Sequence, residues 1–258
     1  MNTIWDNMDD IIVISLREAT ERQAQVTEEL QRVGVTKYRF LIVDRPVNKN
    51  GIYGCYTSHQ RALQESKQSG YKRVCILEDD VEFGTLEELQ VAHDAYGTFI
   101  QSDTVWDFMM LGWIPFSASK TKFPNILKIK CAGAAHAYVA NESMINLGLP
   151  DASPDITMFC TSCKTNESSA FDSTCRTQYE VYVIRPSIAH QSFTTSFIEN
   201  AAVTSLRFIA VQIFSPRYLE KNIEYLSSPT IYILILTSVC IFMALVITLP
   251  FILLIKKH

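Results

Sequence analysis

Three consecutive carboxylates, Glu78, Asp79 and Asp80, are the residues whose types and spacing are best suited to chemistry. They follow a short apolar run with β-branched members, which predicts a buried strand. Unpartnered acids this close together repel, and some would have to stay protonated. A Mg²⁺ or Mn²⁺ ion removes that repulsion, because hard cations prefer carboxylate oxygens. The pattern indicates a metal and ligand site at a strand's carboxyl end. A solvated acidic turn after an edge strand is the alternative.

The sequence before the three acids predicts alternating strands and helices. Continuous apolar runs are typical of parallel strands covered on both faces, and glycines after the amphipathic stretches suit helix ends. Strand, helix and strand in succession make a βαβ unit, which is normally right-handed. The predicted elements are a strand at 10–16, a helix at 18–33, a strand at 37–43, a helix from Thr57 or Ser58 to about residue 69, and a strand at 72–77.

After the acids, Thr85 and Glu88 have the spacing of a capping box at the start of a helix. The run at 131–140 has little side-chain bulk, so backbone or ligand can approach closely there. The remaining predicted elements are a helix at 86–100, strands at 106–112, 126–130 and 180–184, and a short helix at 141–149.

Composition limits the class of protein. The chain has 258 residues, a net charge of −4 and 48% hydrophobic residues. This length allows one domain with a proper core and an appendage. The mild acidity argues against a nucleic-acid-binding protein, which normally carries a basic patch. Seven cysteines are too sparse for a disulfide scaffold.

The carboxyl-terminal segment 230–255 has no charged residue and is followed by Lys256 and Lys257. About 25 helical residues span roughly 37 Å, which is enough to cross a bilayer core of about 30 Å. The amino terminus has no basic region and no long apolar run, so no signal peptide is expected. We predict a domain at 1–200, a helical linker at 201–229, a transmembrane helix at 230–255 and a short basic tail at 256–258. The simplest topology is a tail anchor with the domain facing the cytosol.

The order of motifs resembles glycosyltransferase family 25, the lipooligosaccharide and procollagen galactosyltransferases. An early Ile-Ser-Leu at 14–16 is followed by Arg22, and the block at 54–63 reads Gly-Cys-Tyr-Thr-Ser-His-Gln-Arg-Ala-Leu. About one strand later comes Ile-Leu-Glu-Asp-Asp at 76–80, then Trp-Asp at 106–107 and a small-residue run. The resemblance covers about residues 10–195. A carboxyl-terminal membrane anchor departs from the family's pattern.

The resemblance implies a fold and an activity. The fold would be an α/β, GT-A domain, a Rossmann-like unit that binds a nucleotide sugar at its strand ends. The reaction would transfer galactose or glucose from a UDP-sugar to a hydroxyl of a glycan, protein or lipid acceptor, with inversion. An Mn²⁺ or Mg²⁺ ion would bridge the phosphates and neutralise charge on the departing UDP. A catalytically degenerate, tail-anchored scaffold or binding module with the same fold is the alternative.

The resemblance also implies roles for particular residues. Asp80 would be the first metal ligand, with Glu78 and His190 as further ligands. Asp155 would be the general base that deprotonates the acceptor hydroxyl. Residues expected to contact the donor are Ser15, Leu16, Arg22, Ser58, His59, Glu78, Asp79, Gly133 and Ala134.

Each role has a structural alternative. The alternatives are a surface histidine on a polar loop for His190, a solvated helix residue for Arg22 and a loop-capping aspartate for Asp155. Ser58 and His59 are expected at a helix N-terminus, which favours anions, and a helix cap with a structural histidine is the alternative. Cys160, Cys163 and Cys175 fit half of a zinc site, a disulfide or free thiols.

Overall fold

The computed structural model describes residues 3–47, 51–133, 136–149, 151 and 179–191. They form a mixed α/β structure with an eight-stranded sheet and a separate two-stranded sheet. The helices are α1 Thr20–Arg32, α2 Gly51–Gln68, α3 Leu86–Ile100 and α4 Glu142–Leu147. The strands are β1 Asp10–Leu16, β2 Arg39–Val43, β3 Arg73–Glu78, β4 Val81–Phe83, β5 Phe108–Met110, β6 Ile114–Lys120, β7 Ile126–Gly133, β8 Ala137–Asn141, β9 Val181–Ile184 and β10 Ala189–Gln191.

The large sheet has the strand order β2-β1-β3-β8-β5-β9-β7-β6. Strand β1 pairs in parallel with β2 and with β3, as the predicted βαβ unit requires. Strand β8 then pairs antiparallel with both β3 and β5. The sheet is therefore mixed, and β3 lies inside it with a paired neighbour on each side.

Both faces of the sheet are covered. Successive side chains of a strand point to opposite faces, so β1 and β3 each supply residues to two apolar clusters. One cluster contains Val13 and Leu77 and packs against α1 and α3. The other contains Ile12 and Ile76 and packs against α2 and α4. This explains the continuous apolar runs in both strands.

Several predicted elements are confirmed. The strand at 10–16 has the predicted bounds, and α3 covers the predicted residues 86–100. The Thr85 side chain accepts the backbone N–H of Glu88, and the Glu88 side chain accepts the N–H of Thr85. This reciprocal capping box fixes the start of α3 and so the length of the segment that follows the acids.

The prediction that a helix begins at Thr57 or Ser58 is wrong, because α2 already begins at Gly51. The Ser58 hydroxyl donates to the Gly54 carbonyl at 2.6 Å, one turn back in the helix. Gly54 indicates a loop in the sequence, but in the structure it allows α2 to pack closely against Pro46. A Cβ on Gly54 would lie 2.9 Å from Cδ of Pro46. Ser58 and His59 are therefore interior helix residues, and the argument from a helix N-terminus does not apply to them.

The sequence does not predict four of the strands, β4, β6, β8 and β10. Strands β4 and β10 have three residues each, and β6 lacks an alternating pattern. The small-residue run at 131–140 is divided between the end of β7 and strand β8, where Ala137 and Ala140 are buried. Strands β4 and β10 matter most for the site, because they pair with each other next to Asp80.

Within the described part of the chain, no helix is both long and apolar enough to cross a membrane. The segment 230–255 lies outside that part, as do the linker and the basic tail. The predicted anchor and the predicted domain boundaries therefore stay predictions.

Candidate active site at the end of the third strand

The three acids do not point the same way. Glu78 is the last residue of β3, and Asp79 and Asp80 form the turn that leads into β4. The Glu78 side chain contacts residues of α2, whereas the Asp79 side chain contacts β1 and α1. Alternation along the strand therefore sends two adjacent carboxylates to opposite faces of the sheet.

Asp79 is a buried carboxylate with two donors. The Ser15 hydroxyl donates to Asp79 Oδ2 at 2.6 Å, and Arg22 Nη1 donates to Asp79 Oδ1 at 3.2 Å. The Gln23 amide donates to Ser15 Oγ at 3.1 Å and to the Leu16 carbonyl at 2.8 Å, which orients the end of β1. Burial raises the pKa of Asp79, while the hydrogen bond from Ser15 and the charge of Arg22 act in the opposite direction.

A cleft of about 580 Å³ opens beside Asp79 and Asp80, between α1 and β4. The antiparallel pair of β4 and β10 brings a late part of the chain to it, with His190 opposite Glu82. The side chains and backbone that line it are those of Gln25, Glu28, Glu29, Arg32, Asp79, Asp80, Val81, Glu82, Phe83, Gly84, Thr85 and His190. The structure thus brings His190 together with Asp79 and Asp80, from which it is distant in sequence.

Arg32 and Glu29 hold one wall of the cleft in place. Arg32 Nη2 donates to the Phe83 carbonyl at 2.8 Å and pairs with Glu29 Oε2 at 2.7 Å. Glu29 Oε2 also accepts the backbone N–H of Phe83 at 3.0 Å. These contacts fasten α1 to β4. They also commit Arg32, the one arginine among the lining residues, to protein partners.

The cleft is acidic. The carboxylates among its lining residues are Glu28, Glu29, Asp79, Asp80 and Glu82. Arg22 supplies part of the opposing charge, with Nη1 at 3.2 Å from Asp79 Oδ1 and 3.9 Å from Asp80 Oδ2. An anionic ligand would meet net repulsion here unless a cation accompanied it. Carboxylate oxygens with one imidazole suit a divalent ion such as Mn²⁺.

Glu78 has a separate set of partners on the other face. Its Oε1 lies 3.2 Å from His59 Nε2 and 3.5 Å from Cys55 Sγ, and its Oε2 accepts from the Gln191 amide at 3.3 Å. Burial disfavours the carboxylate, but the hydrogen bond and charge of His59, with His136 and Cys55, outweigh it and lower the pKa of Glu78. Glu78 is not among the residues that line the cleft.

The other predicted site residues divide into two groups. Leu16 ends β1 beside Ser15, Gly133 ends β7, and Ser58 and His59 are buried within α2. Ala134 and Asp155 lie outside the described residues, as do Cys160, Cys163 and Cys175. Their predicted roles stay predictions.

Sequence reasoning missed Cys55, Tyr138 and the pair of Glu29 and Arg32. Cys55 and His59 are four residues apart, which places them on one face of a helix, but α2 was expected to begin after Cys55. That spacing was the available signal. Nothing in the local sequence singles out Tyr138, whose hydroxyl lies 3.0 Å from His59 Nδ1 across 79 residues.

Comparison with known proteins does not establish a family. No protein-family model matches the chain and no curated protein sequence matches it, so the resemblance to glycosyltransferase family 25 stays a prediction. A197 from STIV aligns with 71% of this chain and 85% of its own, at 10% identity and a TM-score of 0.41. A mutant Drosophila β-1,4-galactosyltransferase 7 complexed with manganese, UDP-Gal and xylobiose aligns over 76% and 79%, at 10% identity and 0.38.

A third structure is a glycosyltransferase involved in glycosylation of the major capsid of PBCV-1. It aligns with 54% of this chain and 62% of its own, at 10% identity and a TM-score of 0.32. At these scores the likeness is no evidence of what this chain does, since unrelated functions share folds.

Proposed function

We propose that this chain is a metal-dependent glycosyltransferase of the GT-A type that uses a UDP-sugar as donor. The observation that carries the proposal is the meeting of Asp79, Asp80 and His190 in one cleft at the carboxyl end of β3. Ligands of open α/β sheets bind at such strand ends. The order of motifs along the chain supports the same activity. The distant structures above are not part of this support.

The residues present fit a divalent cation. Asp80 and His190 would hold it. Asp79 would remain hydrogen-bonded to Ser15 and Arg22 and so fix the turn that contains Asp80. When bound, the ion would neutralise charge that develops on the departing diphosphate. We assign Glu78 no part in this cleft, because its carboxylate is held by α2 and β10.

The volume of the cleft is that of a small-molecule site. Its volume of about 580 Å³ lies within the range of about 300–1,000 Å³ typical of small-molecule sites. Ser15 and Arg22 hold Asp79 and, like Leu16, do not line the cleft, so they would act on the nucleotide through the position of Asp79 and the charge of Arg22. The proposal has four further parts. The sugar is galactose or glucose, Asp155 is the base of an inverting reaction, the acceptor is a glycan, protein or lipid, and segment 230–255 attaches the chain to a membrane.

A donor screen tests this activity. UDP release would be measured from each common UDP-sugar, with and without Mn²⁺, for the wild type and for Asp80→Asn. The matched control is Asp103→Asn, because Asp103 is exposed and lies beyond the far end of the 15-residue helix α3. That helix is about 22 Å long.

We expect Mn²⁺-dependent release with at least one donor in the wild type and in the control. Release should fall by about 100-fold or more in Asp80→Asn, since loss of charge stabilisation costs at least that much. Background release with every donor, in the presence of donor binding, would support the non-catalytic scaffold instead. Equal release by Asp80→Asn and wild type would exclude Asp80 from the site.

A further inference from the structure

We propose a second metal site, formed by Cys55, His59 and Glu78, that takes Zn²⁺ on the face of the sheet covered by α2. One potential ligand atom from each residue lies within 4.8 Å of the other two. The site is distinct from the acidic cleft, whose lining includes none of these residues. It does not depend on glycosyl transfer.

Two of the three distances between the ligand atoms match the edges of a zinc tetrahedron, and the third lies within 4.8 Å. With Zn–N and Zn–O bonds of about 2.0 Å, a nitrogen and an oxygen ligand stand about 3.3 Å apart, and a sulfur and an oxygen about 3.5 Å. His59 Nε2 lies 3.2 Å from Glu78 Oε1, and Cys55 Sγ lies 3.5 Å from that oxygen. Hydrogen bonds hold His59 and Cys55 at this spacing from Glu78, so a cation could replace the two hydrogens without moving either group away from the carboxylate.

Secondary structure fixes two of the ligands relative to each other. Cys55 and His59 are separated by one helical turn of α2, which places them on the same face. Glu78 comes from the last position of β3, a strand in the interior of the large sheet. A metal bound here would therefore join the helix to the sheet.

Outer partners orient the ligands, as is usual in built metal sites. The Tyr138 hydroxyl lies 3.0 Å from His59 Nδ1 and can accept a hydrogen bond from Nδ1–H, so that Nε2 could bind the metal once its own hydrogen, now shared with Glu78, has left. The Gln191 amide donates to Glu78 Oε2 and turns Oε1 toward Cys55 and His59. His59 is 1% exposed, while Cys55 and Glu78 are half-buried and give a metal access from solvent.

The donor set selects the metal. A thiolate with an imidazole and a carboxylate is typical of zinc and unlike the oxygen-rich sites of magnesium or manganese. On binding, the thiol proton of Cys55 and the Nε2 proton that His59 donates to Glu78 both go to solvent, so the sulfur becomes a thiolate and Nε2 becomes a ligand. Three protein ligands leave the fourth tetrahedral position to water. Because only the folded chain brings the three together, zinc should also stabilise the fold.

The test measures zinc bound to the full chain after dialysis against a weak chelator, by elemental mass spectrometry. The variants are Cys55→Ser and Glu78→Gln, with Cys75→Ala as matched control, because Cys75 is a buried cysteine of β3 outside the cluster. A Cys160→Ser/Cys163→Ser double variant removes the other cysteine pair. Circular dichroism of the metal-free proteins checks that each variant folds.

We expect Cys55→Ser and Glu78→Gln each to lose one equivalent of zinc relative to the wild type, while Cys75→Ala and the double variant keep it. Tyr138→Phe should weaken zinc binding by about 10-fold or more, as loss of an outer partner does. Cobalt should give a thiolate charge-transfer band that disappears in Cys55→Ser. No zinc on the wild type, or undiminished zinc on Cys55→Ser, would overturn the proposal.

Discussion

The carboxylates of Glu78 and Asp79 lie on opposite faces of the central sheet, although the two residues are adjacent in sequence. Glu78 contacts His59 of α2, and Asp79 contacts Ser15 of β1 and Arg22 of α1. The acidic residues therefore do not form one cluster: Glu78 belongs to the face of the sheet covered by α2, and Asp79 belongs to the face covered by α1. We propose an oxygen-rich cation site in the cleft on one face and a zinc site on the other.

Replacing Arg22 by glutamine should destabilise the fold, because Asp79 would lose the charge that compensates its burial. The pair is largely buried, with side-chain exposures of 14% and 9%. Breaking such a pair costs about 3 kcal/mol. The cost should shrink at low pH, since burial already raises the pKa of Asp79 and the protonated acid needs no counter-ion. Urea denaturation at two pH values measures both effects.

The control for that experiment is Arg17→Gln. Arg17 pairs with Asp44 at 2.7 Å, but both side chains are about two-thirds exposed. Exposed pairs contribute little, at most about 1 kcal/mol. Equal losses in Arg17→Gln and Arg22→Gln would contradict the account of Asp79.

Gly112→Ala should displace β10, the strand that contains His190. A Cβ on Gly112 would overlap the His136 ring and the backbone oxygen of Ala189, neither of which is at the end of a flexible chain. Overpacking of this kind costs about 1–3 kcal/mol. Thermal unfolding measures the loss. The matched control is Gly97→Ala in α3, where a Cβ meets nothing within 4 Å and should stabilise the helix by up to about 1 kcal/mol.

Glu29→Gln should lower the free energy of unfolding at neutral pH by about 1 kcal/mol, the usual worth of such a hydrogen-bonded group. The hydrogen bond from Arg32 lowers the pKa of Glu29 despite its partial burial, with help from the Phe83 N–H. A carboxyl with a lowered folded-state pKa stabilises above its unfolded pKa of about 4.3 and loses that effect as the pH falls through the folded value.

The difference between Glu29→Gln and wild type should therefore fade toward pH 3 in urea denaturation. Glu28→Gln is the neighbouring control, because Glu28 is exposed and should change stability by less than about 0.5 kcal/mol. A difference that grows in acid would have the wrong sign.

Cys75 should resist alkylation in the native protein. It is fully buried in β3, and burial raises its pKa, so the reactive thiolate is scarce. Cys55 is partly exposed and should be modified faster. Peptide mass mapping after timed treatment with iodoacetamide gives both rates. If Cys75 reacted as fast as Cys55, the packing of β3 would differ from that described.

The sequence predicts the half of the fold whose signals are local. Apolar runs and the spacing of Thr85 and Glu88 suffice for β1, β3 and α3, because burial and capping act within one element. The sequence does not predict the start of α2, because Gly51 and Gly54 indicate a loop locally, whereas Gly54 packs closely against Pro46. Strands β4 and β10 have three residues each, too few for a periodic pattern.

Part of the site can also be predicted from signals in the sequence. Asp79, Asp80 and His190 were identified by type and motif order, and they line one cleft. Glu78 points to the other face of the sheet because it is still part of β3. The sequence does not give the end of a strand to within one residue, so it does not predict the face on which Glu78 lies. Tyr138 and Cys55 make contacts between α2 and the sheet that join distant parts of the chain, and the four-residue spacing of Cys55 and His59 is the only local signal for them.

Thermal unfolding with UDP, Mn²⁺ or both tests most directly the claim that the Asp80 cleft binds a cation with a diphosphate. The acidic cleft should bind UDP poorly alone, so the two ligands together should raise the midpoint more than the sum of their separate effects. Binding at 100 times the Kd contributes about 2.7 kcal/mol. The account predicts that Asp80→Asn abolishes this cooperative shift and that Asp103→Asn keeps it. No cooperative shift in the wild type, or the same shift in Asp80→Asn, would contradict it.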